Sequence, residues 1–156
     1  MSVDFVLRPT VATDAAWIAE LRAVVMRPDL ERLQRFDPVR VRERFLNGFQ
    51  PGNTYIIHSD GVDAGAIAVR PEADGRWIEH FYLAPAHQGK GLGSAVLRHV
   101  MSASADERPF RLDVLQGSPA RRLYERHGFV VESEDPVDVF MVAAAQPPTT
   151  TPLTRR

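Results

Sequence analysis

The chain has 156 residues, enough for one domain with a real core, and its 44% apolar and 25% charged content is average for a globular protein. Its net charge of -1 gives no global attraction to nucleic acid or to an anionic membrane, so neither is expected as a partner. The absence of cysteine excludes a disulfide scaffold, a thiolate nucleophile and Cys-ligated zinc, and it suits a reducing, cytoplasmic setting.

Met1 to Phe5 lacks the basic start and apolar run of a signal peptide. Val3 to Arg8 alternates as a first strand closed by Pro9. Thr13 is then placed to cap a helix with the apolar stripe Trp17, Ile18, Leu21, Val24 and Val25, and Trp17 is expected in the core. Pro28 and Pro38 punctuate the next stretch, giving two shorter helices or one broken helix, and Gly48 to Asn53 reads as a loop. Tyr55 to Ile57 and Ala66 to Val69 read as paired strands about the turn Ser59-Asp60-Gly61.

Trp77 to Leu83 is the next strand, ended by Pro85. Leu92, Ala95, Val96, His99, Val100 and Ala103 give a helical stripe, and Phe110 to Leu115 a further strand. Ser118 at the N-cap, Pro119 at the first helical position and Gly128 at the stop then bound a helix. Its face is Ala120, Leu123, Tyr124 and His127. Phe129 to Val131 and Val137 to Val142 close the domain as a hairpin. The order predicts an α/β or α+β layered domain, a mixed sheet with helices on its faces, over residues 1–142, with 143–156 a flexible tail.

The chemistry concentrates at Gln88-Gly89-Lys90-Gly91-Leu92-Gly93-Ser94, between a strand and a helix. The glycines allow positive φ and close approach to a ligand, and a helix start offers unpaired N–H groups and partial positive charge. Together they form an anion site suited to phosphate, with Lys90 and Ser94 adding a cation and a hydroxyl. The Walker spacing is missing, and the dinucleotide fingerprint fails because Ser94-Ala95-Val96 follows Gly93. A tight turn that needs glycine only for its geometry is the alternative reading.

Three pieces in order make the sequence similar to the GNAT N-acetyltransferase superfamily. Phe81-Tyr82-Leu83 followed by Gln88 to Ser94 resembles the family's strand, Q/R-x-x-G-x-G/A loop and helix. Leu112-Asp113-Val114 is similar to its fifth strand, and Pro119-Ala120-Arg121-Arg122-Leu123-Tyr124-Glu125-Arg126-His127-Gly128-Phe129 resembles its closing block. The resemblance implies a mostly antiparallel twisted sheet of six to seven strands with helices on both faces. It implies acetyl-CoA and an amine as the reactants, no metal, and it admits a homodimer.

By the same resemblance, the Phe81, Tyr82 and Leu83 backbone would pair with the pantetheine arm, and Gln88 to Ser94 would hold the pyrophosphate. Tyr124 matches the tyrosine that protonates the departing thiolate, with Leu83 N–H as an oxyanion donor. Ser118 stands where the family usually has asparagine. The function implied is acetyl transfer to a primary amine of a small molecule or peptide by direct attack in a ternary complex. A non-catalytic acyl-CoA-binding or sensing module stays open beside it.

An alkylamine must lose its proton before attack, so an acceptor for that proton is needed. Glu79 ranks first, since strict alternation puts it on one face with Phe81 and Leu83; Asp113 ranks second, and His80, pointing the other way, third. His99 and His127 read as packing residues, and His58 and His87 lack metal-ligand spacing. The arginines between Arg27 and Arg44 read either as a solvated, internally paired helix face or as an acceptor wall for a carboxylate or phosphate.

Overall fold

The computed structural model describes residues 3–103 and 106–145. Seven strands form one sheet in the order β1-β2-β3-β4-β5-β7-β6. They are β1 (Val6–Pro9), β2 (Thr54–Ser59), β3 (Val62–Glu72), β4 (Gly75–Leu83), β5 (Phe110–Leu115), β6 (Val130–Glu134) and β7 (Asp138–Ala143). All neighbours are antiparallel except β4 and β5. The helices are α1 (Asp14–Arg32), α2 (Pro38–Gly48), α3 (Leu92–Ser102) and α4 (Ala120–Arg126).

Two apolar clusters lie on the two sheet faces. One joins α3 and α4 to the sheet through Leu97, Met101, Tyr124, Phe110, Leu112 and Met141. The other joins α1 and α2 to it through Ile18, Leu21, Phe45, Ile56, Ala66 and Tyr82. The expected fold, with helices on both faces of a mostly antiparallel sheet, is therefore present.

Several local expectations give way to tertiary context. The first strand starts at Val6 rather than Val3 and includes Pro9, which an edge strand tolerates. Thr13 makes no side-chain cap; the Asp14 carboxylate instead accepts from Val11 N–H at 2.8 Å and from Arg8 at 3.1 Å. α1 runs through Pro28, whose ring faces solvent while the Arg27–Glu31 pair spans it at 3.0 Å. Pro38 does begin α2, with Asp37 accepting from Val39 and Arg40 N–H at 2.9 Å.

Trp17 is not core, being 37% exposed, because α1 turns Ile18, Leu21 and Arg22 toward the sheet. The Asp60-Gly61 hairpin forms as expected, with φ of 55° and 77°, the double positive pair of a type I′ turn. Ala143 is buried and pairs with Phe110, so the sheet keeps the first residue of the expected tail. Residues 146–156 of that tail lie outside the described residues.

Candidate active site

The site begins where the sheet comes apart. β4 and β5 pair only at Arg76–Phe110 and Trp77–Arg111, and from Ile78 to Leu83 no residue of β4 pairs with β5. At the same point β4 carries a bulge: Ala66 opposes Tyr82 and Ala68 opposes Glu79, so two residues, His80 and Phe81, face one. His80 has φ of 49°, in the left-handed region. The absent side chain of Gly65 makes room, since a Cβ there would lie 2.1 Å from the Tyr82 carbonyl oxygen.

That bulge overturns the alternation argument. Glu79 opposes Ala68 on the α1–α2 side of the sheet, and His80 stays on that side, with its ring 5.0 Å from that of Phe45. Phe81 and Leu83 pack on the opposite, α3 side. Glu79 and His80 therefore share a face, and Phe81 and Leu83 do not belong to it.

A cavity of about 1120 Å³ opens on this α1–α2 side beside the gap. Glu79, His80 and Tyr82 line it from β4, Asp113 from β5, and Ser118 and Tyr124 from the turn and helix beyond. Asp113 points there because Phe110, Leu112 and Val114 fill the α3-side core, leaving the alternate positions to the other face.

The candidate proton acceptors meet different fates. Glu79 is gripped by Arg70, whose Nη2 and Nε donate at 2.8 and 3.1 Å. Burial pushes His80 down to about 4, with Arg22 adding to the shift, and His80 Nδ1 lies 3.0 Å from the Tyr82 hydroxyl. Asp113 has no ion-pair partner among the described residues. It is open to water within the cavity yet ringed by protein, and partial desolvation, then Asp138 and Glu79, push its carboxyl up to about 6. Burial pushes the Tyr124 hydroxyl above its ordinary range, so it stays protonated; it makes no hydrogen bond among the described residues.

Short-range chemistry holds the surrounding loops. Gly89 and Gly91 have φ of 75° and 83°, and the N–H groups of Gly89, Lys90 and Gly91 make no hydrogen bond among the described residues. The first turn of α3 adds the unpaired N–H groups of Leu92, Gly93 and Ser94. Gln88 Nε2 donates to the Leu83 carbonyl at 2.9 Å, tying the loop to the end of β4. A Cβ on Gly93 would make only ordinary contacts with Leu123 and Leu83 at 3.5 Å, so packing alone does not require glycine there.

α4 starts one residue later than expected, with Pro119 at its N-cap, and Ser118 Oγ accepts from Ala120 N–H at 3.2 Å across the turn before it. At the other end Gly128, with φ of 91°, closes a Schellman turn. In it Phe129 N–H reaches Tyr124 C=O at 3.1 Å, and the two rings pack 5.8 Å apart. That turn places Tyr124. His127, expected to pack, bonds Ser94 Oγ at 2.8 Å and links α4 to α3.

Sequence reading missed Arg22 and Asp138 in the cavity wall. Arg22 had a signal: it is a charged residue inside the apolar stripe of α1, one after Leu21. Asp138 had none beyond strand alternation. Among the described residues no group of three or more His, Asp or Glu could hold a metal ion, and no helix is long and apolar enough to cross a membrane.

A sheet split beside a glycine-rich helix start is the arrangement that the resemblance to the GNAT superfamily implies. The acetyltransferase (GNAT) domain model matches residues 50–131, and the chain belongs to the GNAT acetyltransferase family. No curated protein sequence matches it.

Among solved structures the fold is similar to the PaiA N-acetyltransferase of Thermoplasma acidophilum in complex with coenzyme A. That match has 18% identity and a TM-score of 0.69 over 92% of this chain and 99% of that one. It is similar also to the ribosomal-protein-S18-alanine N-acetyltransferase of Escherichia coli, at 15% identity and a TM-score of 0.69, over 95% and 98% of the two chains. A GNAT-family acetyltransferase of Streptococcus agalactiae matches at 14% identity and a TM-score of 0.71, over 93% and 99%. At these identities the likeness is one of fold.

Proposed function

We propose that the protein transfers an acetyl group from acetyl-CoA to a primary amine of a small molecule or peptide, by direct attack in a ternary complex. The observation that carries this reading is the stretch Ile78 to Leu83 of β4, unpaired on its β5 side and beside a cavity lined by Asp113 and Tyr124. The free N–H groups from Gly89 to Ser94 form a cradle suited to a pyrophosphate. The backbone of Phe81, Tyr82 and Leu83 would meet the pantetheine arm along the open edge.

Asp113 takes the proton from the incoming ammonium. A carboxylate raised to about 6 is mostly ionised at pH 7 and is a better base than one at its ordinary value. Glu79, held by Arg70 on both oxygens, is a weaker base than a free carboxylate and serves to add negative charge beside the amine. His80, neutral and bonded to Tyr82, shapes the bulge. Tyr124 donates its proton to the departing thiolate, since a buried phenol stays protonated and its hydroxyl is uncommitted.

The test is release of CoA thiol from acetyl-CoA across amines, amino acids, polyamines and peptides. Amine-dependent release that drops in Tyr124→Phe, with CoA affinity retained, supports the reading. Tight CoA binding with no release from any acceptor would instead make the protein a non-catalytic acyl-CoA-binding module.

A further inference from the structure

The cavity wall carries charges of both signs, and five of the eleven are already spoken for, Arg70 and four carboxylates. Asp29 is held by Arg32 at 2.7 Å, Asp37 caps α2, and Glu79 is gripped by Arg70. Asp135 caps the turn into β7 by accepting from Val137 and Asp138 N–H at 2.8 and 2.7 Å. Six remain without an ion-pair partner among the described residues: Arg22, Arg35, Arg40, Arg44, Asp113 and Asp138.

These six are separated by sign. Asp113 and Asp138 stand on neighbouring strands, where Leu115 opposes Asp138 and Phe140 opposes Asp113, both facing the α1–α2 side. The guanidiniums stand opposite, on α1, α2 and the link between them. Arg22 is the most telling. It is only 8% exposed, it donates Nη1 to the Val41 carbonyl at 3.2 Å and Nε to Met26 sulfur at 3.4 Å, and its Nη2 makes no hydrogen bond among the described residues. That Nη2 is not among the buried atoms left without a bond, so it opens on the cavity and can take an anion there. Arg22 lines the same cavity as His80, Tyr82 and Asp113, so an anion bound to it would share that cavity with the reacting amine.

We infer that the acceptor is a compact zwitterion, its amine set against Asp113 and Asp138 and its carboxylate or phosphate against the guanidinium cluster led by Arg22. This rests on the acetyl-transfer reading and specifies its substrate class. A polyamine would push its distal ammonium against the arginines. A neutral alkylamine would make no charge-assisted contact with them.

Matched acceptors test the inference: glycine against glycinamide, 2-aminoethyl phosphate against ethanolamine, and spermidine as a polycation, each followed by CoA-thiol release. The anionic member of at least one pair should exceed its neutral mate in kcat/KM by about tenfold or more, mostly through KM, because a charge-assisted contact is gained. The pair that responds tells carboxylate from phosphate. Arg22→Gln should pull that ratio toward one, and Arg22→Lys should restore part of it. A merely structural role in joining α1 to α2 would lower all rates together and leave the ratio unchanged.

If Arg22→Gln does not fold, Arg44→Gln and Arg40→Gln on the open rim should each lower the ratio severalfold. Spermidine or the neutral mates matching or beating the anionic acceptors would overturn the inference while leaving acetyl transfer intact. If no amine supports release, the transfer reading fails, and titration of glycine and of 2-aminoethyl phosphate into the CoA-loaded protein still decides. Arg22-dependent binding supports the anion site, and no binding removes it.

Discussion

Asp113 and Glu79 stand on one face of the sheet in opposite states: one is free with its carboxyl pushed up to about 6, the other is tied down by Arg70. The free one is the better base, and this sets its pH behaviour. In the proposed role of base Asp113 acts ionised, so kcat/KM should rise with pH through about 6, and Asp113→Asn should lose that limb along with most of the turnover. The stability consequence has the opposite sense. A carboxyl raised in the folded state contributes stability that is present below its ordinary value near 3.8 and is lost as pH rises through about 6. Asp113→Asn should therefore raise Tm at pH 7 to 8 and give no gain below pH ~4. The side chain is open to water, so the gain is held to about 1 kcal/mol or less, roughly 2–4 °C for a chain of this size. Scanning calorimetry at both pH values checks it, and an unchanged or lowered Tm at pH 8 would show that Asp113 is not destabilised by its surroundings. Tyr124→Phe is a separate case: its hydroxyl makes no internal bond, so Tm should hold while kcat falls about a hundredfold. A kcat within threefold of the parent would remove Tyr124 as the acid.

At the scale of elements, what could be read in the sequence was whatever short-range chemistry decides. Gly89 and Gly91 needed positive φ, Asp60-Gly61 needed a tight hairpin, and Ser118 to Gly128 carried both ends of a helix in its own residues. The bulge at His80 was invisible. One inserted residue leaves no mark on a period-2 pattern, yet it moved His80 onto the face of Glu79 and turned Phe81 away. Arg22 and Pro28 likewise escaped, because packing against the sheet, not local preference, sets which side of α1 is inward and whether the helix continues. The bulge depends on Gly65, so Gly65→Ala is its direct test. The added Cβ would meet backbone at 2.1 Å, and the neighbouring strand cannot rotate away as a side chain could. The expected cost is about 1–3 kcal/mol, read as a lower urea midpoint with an unchanged m-value. Amine-dependent turnover should fall with it in the still-folded fraction, since the open edge of β4 is re-registered.

At the scale of the whole molecule, two half-sheets meet at a short seam and diverge into the binding gap. β1 to β4 form one half and β5, β7 and β6 the other, with two residue pairs between them. Arg76 stitches that seam. Its N–H reaches the Pro109 carbonyl at 2.8 Å, its Nε and Nη2 donate to the Arg108 carbonyl at 3.2 and 2.8 Å, and its guanidinium lies 3.7 Å from the centre of the Phe110 ring. The side chain is 5% exposed, and Nη1 is buried without a hydrogen bond, so the stitch is held at some cost. Arg76→Ala would remove two charge-assisted bonds and the cation–ring contact and leave a void against Phe110, at an expected cost of about 2–4 kcal/mol. Because the seam sets how far β4 and β5 diverge, the same change should weaken CoA binding at temperatures where the protein is still folded, although Arg76 lies away from the cavity. Arg76→Lys keeps the charge but not the fork that bridges to Arg108, so it should recover little of either property. Urea unfolding and CoA titration on both variants separate the effects. A stability loss with CoA affinity untouched would mean that the gap is held open by the bulge alone and the seam only joins the halves.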